Sequence, residues 1–568
     1  MLLRLPAANS FGETVTARLA GDARMSPDKV SRYVGLLELV GFVVLIRAWT
    51  PSLTSREIAD PAIALGGRRP KQVGVHLDRL LPSVPTVKRP EHRPFQRTFR
   101  RAHAAMTTTR FVSGVASGDP TPTSVVLWGR VDGAAASVVW TLTDLGGVVA
   151  ATGAVHPDER GVLRAEVDGL QPGTPYRYEF STEDDHSPVG RTRTLAEHPS
   201  SVRLGVACCA RWPSGEFTGY GSLAAADVDL LVHLGDYIYE DGDGGDRGWH
   251  DPPHECTTDR DYHRRYVQYR TDADLQALHA AAPWVATLDD HDINDNVARF
   301  GRASRPSADG VDPDRRRAGI EAHARWMPQR AHGNGPTPHD RHIPLGDLCD
   351  LVMVDTRLGG REEQVGDGAG PTPAPTDDRS PQLLTDEQWE WLDEIIGRST
   401  ATWVVLVSQV QVAPLRLGWW PTRSGSGRWP LRLAPIVNPD QWDGYPAERQ
   451  RLIDLLDRHD RDDVVILSGD LHGRFATSIR RHGRPALVEV TTPSISAPTF
   501  GSMLDARLPI PSRWTARLIR AINPHIRHLD LEHHGATIVD VDHETIRFSD
   551  AVRPGASNWT RSSTPRAR

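Results

Sequence analysis

Leu230-Leu231-Val232-His233-Leu234-Gly235-Asp236-Tyr237-Ile238-Tyr239-Glu240 is an apolar run that stops at a glycine and sets a carboxylate and a phenol just beyond it. Residues 230–234 are too few for a helix and are bounded by Asp229 and Gly235, so they read as a short buried strand. In an α/β sheet, side chains just past the carboxyl ends of strands leave the core and face a crevice where ligands bind. Asp236 is the first to emerge there. The arrangement recurs along the chain: residues 202–207 end in Cys208-Cys209, and 284–288 end in Asp289-Asp290-His291-Asp292. Residues 403–407 end in Ser408-Gln409, and 464–468 end in Gly469-Asp470-Leu471-His472. Apolar strands that all deliver carboxylate, imidazole, thiol, phenol or amide at the same end build one polar site.

The chain has 568 residues, enough for more than one domain. Its formal charge of -7 comes from acids and bases mixed throughout, with no basic stripe and interleaved aromatics, so no nucleic-acid-binding surface is evident. Four cysteines make no disulfide framework. Cys208 and Cys209 are adjacent and point to a reactive or metal-binding thiol, whereas Cys256 and Cys349 read as small buried hydrophobes. No stretch is apolar and long enough to span a bilayer. Arg68-Arg69 and Arg100-Arg101 are not followed by an apolar segment, so neither works as a twin-arginine export signal. On that basis a cytoplasmic location is slightly favoured, and a monomer is expected.

Residues 1–109 are expected to be a poorly ordered extension or an artefact of start-site choice, because 66–105 is rich in Arg, Pro and His without a period. Short strands separated by Gly, Asp and Pro follow at 124–131, 137–142, 148–155 and 161–167, the pattern of an antiparallel sandwich. Leu170-Gln171-Pro172 precedes Tyr176 at a strand start, where a phenol can bond back across the corner as in fibronectin-like sandwiches. This sets an all-β domain at 110–197 and a layered α/β domain at 198–552, with 553–568 as a disordered polar tail. In the larger domain Thr385-Asp386-Glu387-Gln388 is a capping box opening a helix, and 447–458 is a second amphipathic helix. Residues 359–381 and much of 418–440 read as loops.

A phenolate and a thiolate suit a strongly Lewis-acidic ion such as ferric iron, whereas carboxylate and amide oxygens suit calcium, magnesium or manganese. A site with both sets can hold unlike metals about 3.5 to 4 Å apart that clamp the attacking and leaving oxygens of an in-line phosphoryl displacement. Taken singly, a Gly-Asp turn after a strand is usually only a turn. The joint occurrence carries the reading.

The stretches VSGVASGDPTPTSVVLWGRV, HLGDYIYE, YRTDADLQALHAAAPWVATLDDHDINDN, LVMVDTR, QWDGYPAER and VVILSGDLHG resemble the alkaline phosphatase D (PhoD-like) family of metallophosphatases, in the calcineurin-like and purple acid phosphatase superfamily. The resemblance covers residues 110 to about 550. It implies a layered metallophosphatase domain with a β-sandwich core flanked by helices, preceded by a fibronectin-like sandwich. It also implies a binuclear or trinuclear site of Fe(3+) and Ca(2+), with Mn(2+) or Mg(2+) as substitutes. Matched residue by residue, it assigns Cys209, Asp236, Tyr239, Asp290, Asp470 and His472 as metal ligands, Asp236 bridging. His291 becomes the imidazole facing the substrate, and Asn296 and Arg357 weaker substrate contacts. Cys208-Cys209-Ala210 departs from the family's Ser-Cys-Gln, and Asp292-Ile293-Asn294-Asp295-Asn296 from its paired asparagines. Family members are often exported. The expected activity is hydrolysis of phosphate monoesters, extending to diesters, by metal-activated hydroxide; the alternatives are a phosphodiesterase or phospholipase-type hydrolase, and a binding protein with a relict site. For Arg357 and Arg474 an ordinary salt bridge competes with phosphate binding.

Overall fold

The computed structural model describes residues 109–562, apart from 134, 136, 299–311, 365–371, 374, 376–379, 423–431, 482–483, 508–511 and 553–558. The reading of residues 1–108 as an extension lies outside the described residues. The chain divides into two compact units, the larger comprising Thr109–Arg416, Val437–Asp505 and Ile510–Arg568. Everything below concerns this larger unit unless stated.

Seven strands form its parallel heart, numbered here in chain order: β1 (Ser201–Ala207), β2 (Leu230–His233), β3 (Pro283–Ala286), β4 (Cys349–Val354), β5 (Trp403–Ser408), β6 (Val464–Ser468) and β7 (Arg484–Thr491). β1, β2 and β3 pair in parallel, with Val206 opposite Val232 and Leu231 opposite Trp284. In a second sheet β4, β5, β6 and β7 run parallel, with Val352 opposite Leu406 and Val407 opposite Leu467. The two sheets face each other. Leu204, Val206, Leu230, Val232 and Val285 of the first meet Leu351, Met353, Val405, Val407, Val465 and Leu467 of the second in one buried cluster.

Alternate residues point the other way. Val352, Val354, Val404, Leu406, Val464 and Ile466 are covered by Trp389, Leu392, Ile395 and Ile396 of the helix Asp386–Arg398 and by Leu452, Leu455 and Leu456 of the helix Pro446–Arg458. Tyr220, Tyr262, Tyr266, Leu275, Leu278 and Trp326, from four further helices, cover the first sheet in the same way. Strands buried on both faces must be apolar at every position, which is why they read as unbroken hydrophobic runs. Each such Leu, Ile or Val contributes about 1.5 to 3 kcal/mol by burial. Thr385 caps its helix as the sequence predicts: its hydroxyl accepts the Gln388 N–H at 3.1 Å, and the Gln388 side chain accepts the Thr385 N–H at 2.9 Å. Among the described residues no helix is long and apolar enough to cross a membrane.

The N-terminal strands form an all-β sandwich. One of its sheets, Val149–Val155, Val138–Thr143, Pro175–Ser181 and Gly190–Arg193, packs Val138, Leu142, Tyr176, Tyr178 and Phe180 against Val115, Val125 and Leu127. The other sheet does not end at the sandwich. Val115–Gly118 lies parallel to β3, so nine strands run continuously from Val162–Val167 to Trp559–Ser562. Gly118 permits that junction, because a Cβ there would sit 2.1 Å from the Pro328 carbonyl oxygen. Such continuity has no signature in a single strand's composition. The tyrosine corner is present: the Gln171 N–H donates to the Tyr176 hydroxyl at 3.0 Å. Tyr176→Phe is expected to destabilise the protein by about 1 kcal/mol, measured as a lower urea midpoint with unchanged slope.

Three loop expectations need correction. The polar tail contains a strand, Trp559–Ser562, which pairs with Thr545–Phe548 and satisfies that edge without any hydrophobic period of its own. In the smaller unit, which holds Leu417–Ile436, the stretch read as a loop at 418–440 contains Gly418–Thr422 and Arg432–Val437 paired as an antiparallel hairpin, despite Pro421 and Pro435. Thr372–Pro373 is a short strand inside the 359–381 loop.

Candidate metal centre

Both sheets deliver their strand ends to one place. The turns after β1, β2, β3 and β6 carry Cys209, Asp236, Asp289-Asp290-His291 and Asp470-Leu471-His472. Among the described residues eight non-glycine residues adopt positive φ, and five of them are Cys209 (59°), Asp236 (52°), Asn296 (54°), Asp470 (63°) and His472 (53°). A left-handed residue with a side chain costs on the order of 1 kcal/mol or more, and such residues persist where surrounding structure holds them for a task. Gly235 (φ 99°) is required for the β2 turn, since a Cβ would fall 2.3 Å from the Asp289 amide nitrogen. Asp292 binds the two turns together. Its Oδ2 accepts the N–H groups of Asp236 and Asp289, both at 2.9 Å, and its Oδ1 those of Tyr237 (3.0 Å) and Ile238 (3.2 Å). Asp292 therefore works as a brace between the two turns.

One half of the site gathers unlike donors. Single ligand atoms of Cys209, Asp236 and His472 lie within 4.8 Å of one another. The Tyr239 hydroxyl joins them, 2.9 Å from Asp236 Oδ2 and 3.0 Å from His472 Nε2. His472 Nδ1 lies 2.9 Å from the Pro498 carbonyl, which can only accept, so Nδ1 carries the proton and Nε2 presents a lone pair. One phenol proton cannot serve both a carboxylate oxygen and that lone pair. Lone pairs that converge without protons to separate them are the arrangement a cation fits. Cys209 is the sulfur that faces this group, while Cys208 Sγ lies 3.9 and 4.0 Å from the carbonyls of Pro493 and Thr492. Burial pushes the Cys209 thiol and the Tyr239 phenol well above their usual pKa, with Cys208 adding to the first and Asp236 to the second. Burial also brings His472 down to about 4, which keeps its ring neutral.

The other half is acidic. Single oxygens of Asp236, Asp289, Asp290 and Asp470 lie within 4.8 Å of one another. Burial, with neighbouring carboxylates, drives Asp236 and Asp470 well above the carboxylate range and Asp289 to about 6. Asp290 goes the other way: burial opposes ionisation, but Arg357 and His291 hold it at about 2. The Asn296 N–H donates to Asp290 Oδ2 at 2.6 Å, which sets Asn296 beside this group.

The His291 ring stacks on Tyr239 with centroids 4.2 Å apart, and the His291 backbone N–H donates to Asp236 Oδ1 at 3.2 Å. Its Nδ1 lies 2.8 Å from Glu240 Oε2. Burial alone would lower its pKa, yet Glu240, Asp290 and Asp236 together raise it well above the usual imidazole value.

Two candidates move. Arg357 is wholly buried and is turned onto Asp289, Asp290 (3.2 Å) and Asp440 (2.8 and 3.0 Å), so it is no surface clamp for phosphate. Arg474 is paired with Asp550. Asp289, Glu240, Asp440 and Gln441 are absent from the sequence-derived set. The Asp-Asp doublet at a strand end was a signal for Asp289, and Glu240 closes the Asp236 stretch. Asp440 and Gln441 leave a loop with no period to mark them.

Residues 204–549 match the family model described as PhoD-like phosphatase, and residues 97–196 that of PhoD-like phosphatase, N-terminal domain. Alkaline phosphatase D of Bacillus subtilis (strain 168) is 35% identical over 398 residues, which cover 65% of this chain and 65% of the relative. The chain thus spans about two thirds of that relative's length. A solved structure described as "Structure of PhoD" superposes with a TM-score of 0.67 at 31% identity, over 80% of this chain and 90% of that one.

Proposed function

Since the chain belongs to the PhoD-like phosphatase family, we propose that it is a metal-dependent hydrolase of phosphate esters, acting first on monoesters. The observation that carries this reading is the meeting of Cys209, Asp236, Tyr239 and His472 beside the acidic group of Asp236, Asp289, Asp290 and Asp470. Thiolate, phenolate and imidazole would hold ferric iron, and the carboxylates a hard divalent ion such as calcium, with Asp236 common to both. Bound there, these ions supply Lewis acidity, which makes water acidic near neutral pH and offsets charge on phosphoryl oxygens.

The chain's own residues do the rest. Asp236 Oδ1 is fixed by the backbone N–H of His291 and Oδ2 lies 2.9 Å from the Tyr239 oxygen, so the two halves keep a set relation. Glu240 receives the Nδ1 proton of His291, and His291 Nε2 holds a second proton that it can give to the departing alkoxide oxygen. Cys209, Asp236 and Tyr239 are buried, whereas the His291 and Asp470 side chains keep 23% and 16% of their surface. The ester therefore approaches from the side of His291 and Asp470. Asn296, whose backbone N–H donates to Asp290, would meet the ion or a phosphoryl oxygen.

The test compares p-nitrophenyl phosphate with bis-p-nitrophenyl phosphate, before and after chelation and with iron and calcium restored. Hydrolysis of the monoester that is lost on chelation and regained with the metals is the expected result. Faster cleavage of the diester would make the protein a phosphodiesterase, and no hydrolysis of either with metals supplied would make it a binding protein.

A further inference from the structure

The geometry points to Asp289 as a further oxygen ligand of the divalent ion, with Arg357 as the positioning residue that aims it. This inference rests on the metal-dependent reading above. Asp289 is 1% exposed, and its two oxygens have different surroundings. Oδ1 accepts from Arg357 Nε and from the Asp290 N–H at 2.9 Å. Oδ2 is buried and, among the described residues, has no hydrogen-bond partner. A buried carboxylate oxygen left unmet costs on the order of 1 to 3 kcal/mol. Its neighbours are otherwise accounted for. Asp290 places Oδ1 on Arg357 and Oδ2 on the Asn296 N–H, and Asp470 places Oδ1 3.5 Å from Arg357 and Oδ2 on the Gln441 amide. One oxygen of this same Asp289 carboxylate lies within 4.8 Å of single oxygens of Asp236, Asp290 and Asp470.

Charge supports the same assignment. The guanidinium groups of Arg357 and Arg361 meet at Asp440, and only Arg357 reaches Asp289, Asp290 and Asp470. Arg357, Arg361 and the imidazolium of His291 are three cations against the six carboxylates of Asp236, Glu240, Asp289, Asp290, Asp440 and Asp470, which leaves the cluster short of positive charge, a deficit a divalent cation fills. The planar fork of Arg357 reaches several carboxylates at once, which a lysine ammonium on a flexible stem does not reproduce. Fixing ligands from outside is what residues around a metal site do, and losing them typically weakens metal affinity 10- to 100-fold.

Asp289→Asn is a clean probe. The amide oxygen can keep both bonds now made by Oδ1, and only the unmet atom and the charge change. Metal-stripped wild-type, Asp289→Asn and Arg357→Lys proteins are titrated with calcium by calorimetry, and the iron content of each is measured after loading with iron. Calcium affinity is expected to fall about 10- to 100-fold in both variants, with iron bound as in the wild type through Cys209, Tyr239 and His472. Calcium bound by Asp289→Asn within twofold of the wild type would overturn the ligand role of Asp289. Should that variant not fold, unchanged affinity in Arg357→Lys would overturn the inference instead. A wild-type protein that binds no calcium would overturn the underlying reading of the acidic half.

Discussion

Asp236→Asn is expected to lower kcat by at least about three orders of magnitude while the protein stays folded, a loss of about 4 kcal/mol in transition-state stabilisation. The substitution keeps the shape of the side chain and one oxygen for the His291 N–H. It replaces the other oxygen, which now receives the Tyr239 proton, by an amide that only donates. It also removes the charge common to both halves of the centre. The backbone of residue 236 is held independently by Asp292, so the turn after β2 should survive. Steady-state kinetics under saturating iron and calcium, with thermal unfolding as the control for folding, measures the effect. Turnover near that of the wild type would remove Asp236 from the mechanism.

Asp292→Asn is the second large effect, and it acts through the fold. The carboxylate of Asp292 accepts four backbone N–H groups from two turns, and an amide in its place has one accepting oxygen. The amide nitrogen would face N–H donors with a donor of its own. Leaving buried donors unmet costs about 1 to 3 kcal/mol each, so a destabilisation of about 3 to 5 kcal/mol is expected. Activity should fall with it, because Asp236 and Asp289 both take their backbone positions from these bonds. Denaturant unfolding of the metal-free protein checks the first effect. A variant as stable as the wild type would show that the four bonds are worth little in sum.

Much of this was legible in the sequence, and the reason is the double burial of the central strands. When both faces of a strand are covered, every position is apolar, so the first polar residue marks the strand's end. That rule drew the strand-end stretches 208–209, 235–240, 289–292 and 469–472 to one site, the family resemblance picked Cys209, Asp236, Asp290, Asp470 and His472 within them, and the structure brings their side chains together. Tyr239 follows Asp236 closely enough to share its turn, and its hydroxyl reaches that carboxylate. What could not be read falls into two kinds. Asp440 and Gln441 come from an irregular segment, where no period says which way a side chain points. Arg357 was visible as a strand-end residue, but its direction was not: an arginine serves substrate or structure according to whether it meets solvent or buried acids, and here it meets Asp289, Asp290 and Asp440. The nine-stranded sheet that joins the sandwich to the larger domain belongs to the same class, since pairing between distant strands leaves no local trace.

The central claim is that strand-end side chains from both sheets cage two unlike cations. Metal analysis of the purified protein, beside Cys209→Ala and Cys208→Ala variants, tests it most directly. The account predicts iron and calcium in stoichiometric amounts in the wild type, iron lost on replacing Cys209 and iron kept on replacing Cys208. A wild-type protein that takes up neither metal, or an iron content indifferent to Cys209, would contradict it.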